Sequence, residues 1–153
     1  MRVLLKRPSK ARRLANSELG QSLVELALVL PVILLLLLGI MEGGRIFSSY
    51  LELQNAAREG ARHAAVSCTT MLVADEQVPA WATSVLTPWL ESRLVSLNPA
   101  SLTVELSRMS DADGSEVWVE LDLKYSLEVV TPVISDITGN PLNLRSRMVM
   151  RGE

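Results

Sequence analysis

The sequence is poor in the residues on which most protein chemistry depends. It has one cysteine, Cys68, and one histidine, His63, among 153 residues. A lone cysteine closes no disulfide within the chain, and Cys68 reads as a small buried residue near a helix end. A lone histidine with no Cys-x-x-Cys spacing leaves no zinc-type ligand set, and His63 reads as a helix-surface residue. No Ser/His/Asp arrangement stands out, and there is no glycine-rich phosphate loop. The stretch from Asp111 to Glu116, DADGSE, begins like a calcium loop but lacks the distant bidentate Glu of the twelve-residue motif. A hairpin turn accounts for it. The expectation is a chain that is not an enzyme, with no metal, no cofactor and no small-molecule substrate.

Charge is missing over one stretch of particular length. Between Glu25 and Glu42 there are 16 uncharged residues, LALVLPVILLLLLGIM. That is short of the about 20 needed to span a bilayer, but Leu23, Val24 and Gly43-Gly44 extend it to a transmembrane segment at about 23–44. Pro31 lies within it. In water an interior proline costs a helix about 3 kcal/mol, whereas in a membrane the freed carbonyl finds other partners, so a gentle kink at Pro31 is expected. A secretory signal peptide would end in small residues at a cleavage site. Here the run ends in Glu42-Gly43-Gly44-Arg45, and the faint lipoprotein-like Ala65-Val66-Ser67-Cys68 lies too far away.

The charge that is present is segregated. Residues 1–20 hold Arg2, Lys6, Arg7, Lys10, Arg12 and Arg13 against Glu18, a net of +5, and the whole chain carries −2. The remainder is therefore at −7. The positive-inside rule places the basic leader in the cytoplasm and the acidic body across the membrane. A nucleic-acid role for the leader is rejected because the apolar run tethers it.

Beyond Arg45 the pattern remains helical. Ile46, Phe47, Tyr50 and Leu51 lead into Ala56, Ala57, Ala61, Ala64 and Ala65, with high helix propensity. Glu42 with Arg45, and Glu59 with Arg62 or His63, stand at i,i+3 and i,i+4 spacing. Gly43, Gly44 and Gly60 either soften this helix or allow close packing. Residues 69–78 read as a connection. Pro79 to Leu97 then reads as helical, with Leu86, Leu90, Leu94 and Leu97 on one stripe. Thr87-Pro88 can start a second short helix there, and Trp81 and Trp89 either pack on the head or sit at headgroup level. The last third alternates: Leu102, Val104, Leu106; then Val117, Val119, Leu121, Leu123, Tyr125, Leu127, Val129; then Leu142, Leu144, Met148, Met150. Period two of this kind predicts a half-buried antiparallel sheet. Acidic outer positions on the second segment and basic ones on the third predict that those two are neighbours.

The expected fold is α+β, a long N-terminal membrane-spanning helix with a small head of about three antiparallel strands packed on helix. Three segments follow: a basic cytoplasmic leader over 1–20, a long helix over 21–67, and an extracytoplasmic α+β head over 68–153.

A glycine closing a basic leader, with a single carboxylate five residues on at the mouth of an apolar segment, resembles the type IV prepilin signal. The wider stretch GQSLVELALVLPVILLLLLGIMEGGRIF, followed by LQNAAREGARHAAV, resembles the TadE-like family, and the closing SRMVMRGE resembles its last strand. TadE-like proteins are minor pilins or pseudopilins of the tight-adherence (Tad/Flp) pilus. The resemblance implies cleavage by a prepilin peptidase between Gly20 and Gln21. It also implies partners in the other Tad pilus subunits and the inner-membrane assembly platform, a place in the bacterial cytoplasmic (inner) membrane, and a part in pilus assembly, adhesion or secretion. By the same resemblance, Glu25 neutralises the new amino terminus of a neighbouring subunit. One helical turn from Gln21, it can equally pair with its own. Leu26 stands where the major Flp pilins have Tyr, and with a head of about 85 residues this points to a minor subunit. The alternative is an uncleaved single-pass protein whose head is an envelope adaptor or sensor.

Overall fold

Leucine, alanine and arginine, all strong helix formers, dominate the stretch that forms α1 (Lys10–Thr70). The computed structural model describes residues 10–70, 75–110 and 116–152, with side chains for 20–67, 76–110 and 116–152. The helix starts ahead of the expected residue 21 because most of Lys10 to Leu19 are also good helix formers, and a single Gly20 costs only about 1 kcal/mol. Residues Met1 to Ser9, Met71 to Ala74 within the expected connection, Asp111 to Ser115 within the expected hairpin turn, and Glu153 lie outside the described residues, as does the side chain of Cys68.

The chain divides into two units, Met1–Met41 and Glu42–Glu153. In the first, Leu23, Val24 and the large apolar side chains from Leu26 to Met41 are exposed. The helix passes through Pro31, whose missing N–H leaves the Ala27 carbonyl without its usual partner.

In the second unit, β1 (Leu102–Ser110), β2 (Val117–Leu127) and β3 (Leu142–Arg151) form an antiparallel sheet in that order. Leu106 stands opposite Leu121, and Leu121 opposite Met148, so the apolar positions of all three strands share one face. The central strand buries Val119, Leu121, Leu123, Tyr125 and Leu127. Leu53, Ala57, Ala61 and Ala64 of α1 are fully buried in the same core, at the spacing of one helical face. Gly60 is on that face because nothing larger fits: a Cβ there would lie 2.8 Å from Leu121 Cδ2 and 3.0 Å from Leu90 Cδ2. Gly43 and Gly44 face open space. Of the two roles expected for these glycines, close packing therefore belongs to Gly60.

The region expected as one or two helices over Pro79 to Leu97 is shorter and has a break. A 3-10 turn at Asp75–Gln77 leads into α2 (Val78–Trp81), a π turn (Ala82–Leu86) and α3 (Thr87–Glu91). Thr87 does not start a new helix from an extended cap. Its backbone is helical, and its N–H and its hydroxyl, at 2.9 Å, both reach back to the Ala82 carbonyl. With no N–H on Pro88, the ladder is locally widened. Past Glu91 the ladder tightens, with the Arg93 and Leu94 amides bonding the carbonyls of Leu90 and Glu91, three residues back, at 2.9 and 3.3 Å, and then leaves the helix. Val95 and Ser96 donate to the Glu52 carboxylate at 2.6 and 3.0 Å. Leu86, Leu90 and Leu97 are buried as the stripe predicts.

One element has no counterpart in the sequence reading, α4 (Pro132–Thr138). Its signals are local: an extended Thr131, Pro at the first turn, and Gly139 at φ 83° just past the end.

Candidate functional site

The residues singled out for processing and assembly all lie on the first unit's part of α1. Gly20, Gln21 and Glu25 are exposed, and a Cβ on Gly20 would meet nothing. Glu25 makes no ion pair among the described residues. One turn separates it from Gln21, so a charged amino terminus at Gln21 would lie within reach of its own Glu25. The 18-residue stretch that qualifies α1 as a membrane-crossing helix is wholly unburied. Apolar surface on that scale is unfavourable in water at about 25 cal/mol per Å², and stable in a bilayer.

A family model described as TadE-like protein matches residues 20–62. The chain carries a TadE-like segment. The match begins at Gly20, takes in Gln21, Glu25, Pro31 and the whole apolar run, and ends among the alanines that pack on the head. TadE-like proteins are pilus components, and the helix that carries the matched segment is long and apolar enough to cross a membrane. No curated protein and no solved structure matches the chain.

Past the apolar run, the TadE-like segment is fastened to the head by its own acidic residues. Glu42 is 4% exposed. It accepts from Arg45 Nη2 at 2.6 Å, the pair expected from i,i+3 spacing, and from the Val130 amide at 3.3 Å. Arg45 also donates to the Glu128 carbonyl. Ten residues on, Glu52 holds Val95 and Ser96, including the Ser96 hydroxyl. Burial raises the Glu52 pKa, but these hydrogen bonds outweigh it and leave the carboxyl below its usual range. Glu59 departs from expectation. It pairs with Arg93 at 3.4 Å, beyond α3, rather than with Arg62 or His63.

His63 is half-buried rather than a free surface residue. It stacks on Trp89 at 4.4 Å between ring centroids and lies 6.2 Å from Trp81. Arg93 sits 4.1 Å from the Trp89 ring, in cation–π range. Trp81 and Trp89 thus pack on the head, one of the two roles open to them. The shallow cleft beside this stack is lined by Glu59, Arg62, His63, Val66, Ser67, Trp89 and Arg93. No cluster of metal-ligating residues occurs among the described residues.

The outer face of the sheet is a charge ladder. Arg145 Nε donates to both oxygens of Asp122 at 2.9 and 3.0 Å. Arg147 pairs with Glu120, Arg151 with Glu116 at 2.9 Å, and Lys124 with Glu105 at 2.6 Å. Arg147 stands opposite Asp122 and Arg145 opposite Lys124, so the first two bridges run diagonally, two residues off register. The Arg145 guanidinium holds the Asp122 carboxyl below the usual range against the upward push of burial. Acidic β2 beside basic β3 is the neighbour relation expected from sequence.

Proposed function

We propose that this chain is a minor pilin or pseudopilin of a Tad/Flp-type pilus, cut after Gly20 by a prepilin peptidase. It is held in the bacterial cytoplasmic membrane by residues at about 23–44, with the leader cytoplasmic and the head outside. The observation that carries this reading is the alignment of signals along the sequence. The TadE-like match starts at Gly20, with +5 of charge before it, Glu25 five residues on, and the uncharged run directly after. Cleavage would remove the leader and leave an ammonium at Gln21, in a medium where ion pairing is strong. Glu25 is the nearest carboxylate available to neutralise it, in its own chain or in a neighbouring subunit. The other Tad pilus subunits and the inner-membrane assembly platform are the partners in this reading. The test is N-terminal sequencing or intact mass of the membrane-purified protein from its own host. A mature start at Gln21 supports processing, and an intact Met1 beside an active peptidase overturns it.

One observation favours the second reading, an uncleaved single-pass adaptor or sensor. The Gly20–Gln21 bond lies inside α1, and a protease needs the local backbone opened. Gly20 lowers the cost of that opening. Gly20→Phe separates the two readings: unprocessed protein accumulates under the first, and mobility is unchanged under the second.

A further inference from the structure

We infer that the free edge of β3 is a docking edge for an extended, acidic segment of a partner protein, which adds to the sheet as a fourth strand. The inference concerns the head alone and holds whether or not the chain is cut after Gly20.

One hydrogen bond fixes which backbone groups of β3 point outward. The Gly152 amide donates to the Val117 carbonyl at 2.7 Å, one step beyond the Trp118–Arg151 pair at the end of the register. In an antiparallel pair, successive residues alternate between bonding the neighbouring strand and facing away from it. Gly152 faces β2, and with it Met150, Met148, Ser146, Leu144 and Leu142. Asn143, Arg145, Arg147, Val149 and Arg151 therefore turn their N–H and C=O groups away from β2, and these groups have no partner among the described residues.

An open edge is a template for another strand, and proteins blunt it with proline, bulges or short strands. β3 has none of these. It runs for 10 residues, about 33 Å, without proline and in unbroken register with β2. Its arginines bridge back toward the carboxylates of Asp122, Glu120 and Glu116 instead of shielding the edge.

The chemistry of the incoming strand follows from the two faces of β3. On the outer face, Arg145, Arg147 and Arg151 remain 59%, 60% and 61% exposed despite their bridges, and β3 holds no acidic residue. Opposite charges on neighbouring strands are favourable and like charges directly opposite are not, the relation that β2 already has to β3. On the inner face, Leu144, Met148 and Met150 are only partly buried against the core. A strand of alternating acidic and apolar residues matches both faces: its carboxylates take the remaining guanidinium donors, and its apolar side chains extend the core. Main-chain bonds along the edge supply the affinity. A second copy is a poorer occupant, because antiparallel pairing of β3 with β3 sets arginine against arginine.

The test uses the full chain in detergent micelles and a synthetic peptide with the sequence of β2, Val117–Leu127, the acidic and apolar strand that β3 already pairs with. Hydrogen exchange is followed amide by amide by NMR. In the free chain the five outward amides of β3 should exchange about tenfold or more faster than those of Leu144, Ser146, Met148 and Met150. The peptide should slow the outward set about tenfold and leave the other nearly unchanged. The same peptide carrying Glu120→Lys and Asp122→Lys should bind about tenfold more weakly. In the chain, Val149→Pro removes an outward N–H but no bond to β2, so it should keep the fold by circular dichroism and weaken peptide binding. If that variant does not fold, the wild-type exchange pattern decides. No slowing at millimolar peptide, or binding that leaves the outward amides fast, overturns the inference. Equal binding of the lysine peptide overturns the acidic partner. Outward amides that are already slow in the free chain mean that the edge is covered, by the chain itself or, where the slowing grows with protein concentration, by a second copy. Either result also overturns the inference.

Discussion

The Glu42 carboxylate bonds the backbone amide of Val130, 88 residues later in the chain. With Arg45 on the same oxygen at 2.6 Å, this joins the first charged position after the apolar run to the loop between β2 and α4. Removing a buried carboxylate strands an arginine and an amide that were satisfied in the fold. Arg45 retains some water, which limits the cost to about 1–3 kcal/mol. Glu42→Ala should therefore lower the melting temperature of the full chain in detergent. It should also speed hydrogen exchange in the peptide containing Val130 while leaving peptides from β1 unchanged. Equal exchange at Val130 in both proteins would show that the contact is not maintained in solution.

Gly60 gives a prediction about size. Leu121 and Leu90 are fully buried, so a new Cβ at 2.8 and 3.0 Å cannot be accommodated by swinging either one into solvent. Overpacking costs about 1–3 kcal/mol, while Gly→Ala in a helix returns about 1 kcal/mol. Gly60→Ala should be mildly destabilising and Gly60→Val clearly more so, by about 2 kcal/mol or more. Thermal unfolding of the two variants, followed by near-ultraviolet circular dichroism, checks the order. A Gly60→Val protein as stable as the wild type would contradict the close approach.

The Asp122–Arg145 bridge predicts a pH dependence. The folded-state pKa of Asp122 is lowered, first by the Arg145 hydrogen bonds. A lowered carboxylate contributes stability that is fully present above its unfolded pKa, about 3.9, and is lost as pH falls through the lower folded value. The wild type should lose stability below about pH 4 more steeply than Asp122→Asn, and the difference between them should vanish at the acid end. Chemical denaturation midpoints from pH 7 to pH 2.5 measure this. Parallel curves across the range would mean that the bridge is not formed in solution.

The sheet was legible because period-two alternation over 102–106, 117–129 and 142–150 leaves one consistent face, and because the charges opposite it are acidic on β2 and basic on β3. The apolar run needed only its length. What could not be read is what depends on partners far along the chain. Nothing near Glu52 signals that it will take the amides of Val95 and Ser96. Local spacing assigned Glu59 to Arg62 or His63, but an exposed i,i+4 pair is worth only a few tenths of a kcal/mol, and Arg93 competes for it in the folded head. Seven residues are too few for periodicity to reveal α4. Gly20 and Glu25 are a different case. Their environment is plain exposed helix, and their interest comes from charge, spacing and the TadE-like match.

Glu25 therefore yields its prediction through chemistry rather than contacts. Under the proposed function, processing reads the Gly20–Gln21 bond, while docking in the membrane must neutralise the ammonium that cleavage creates. A carboxylate inside a bilayer costs about 2.5–3.5 kcal/mol at a helix centre and less near the interface, a cost that pairing would offset. Glu25→Ala should leave cleavage after Gly20 largely intact but reduce crosslinking to the other pilin subunits several-fold. Glu25→Asp, shorter but still charged, should retain part of it. Crosslinking in the native membrane with mass-spectrometric identification reads both the yield and the partners. If wild type and Glu25→Ala crosslink equally, Glu25 is an interfacial residue whose charge reaches headgroup water without a partner. In that case pairing within its own chain, one turn from Gln21, also contributes nothing that assembly requires.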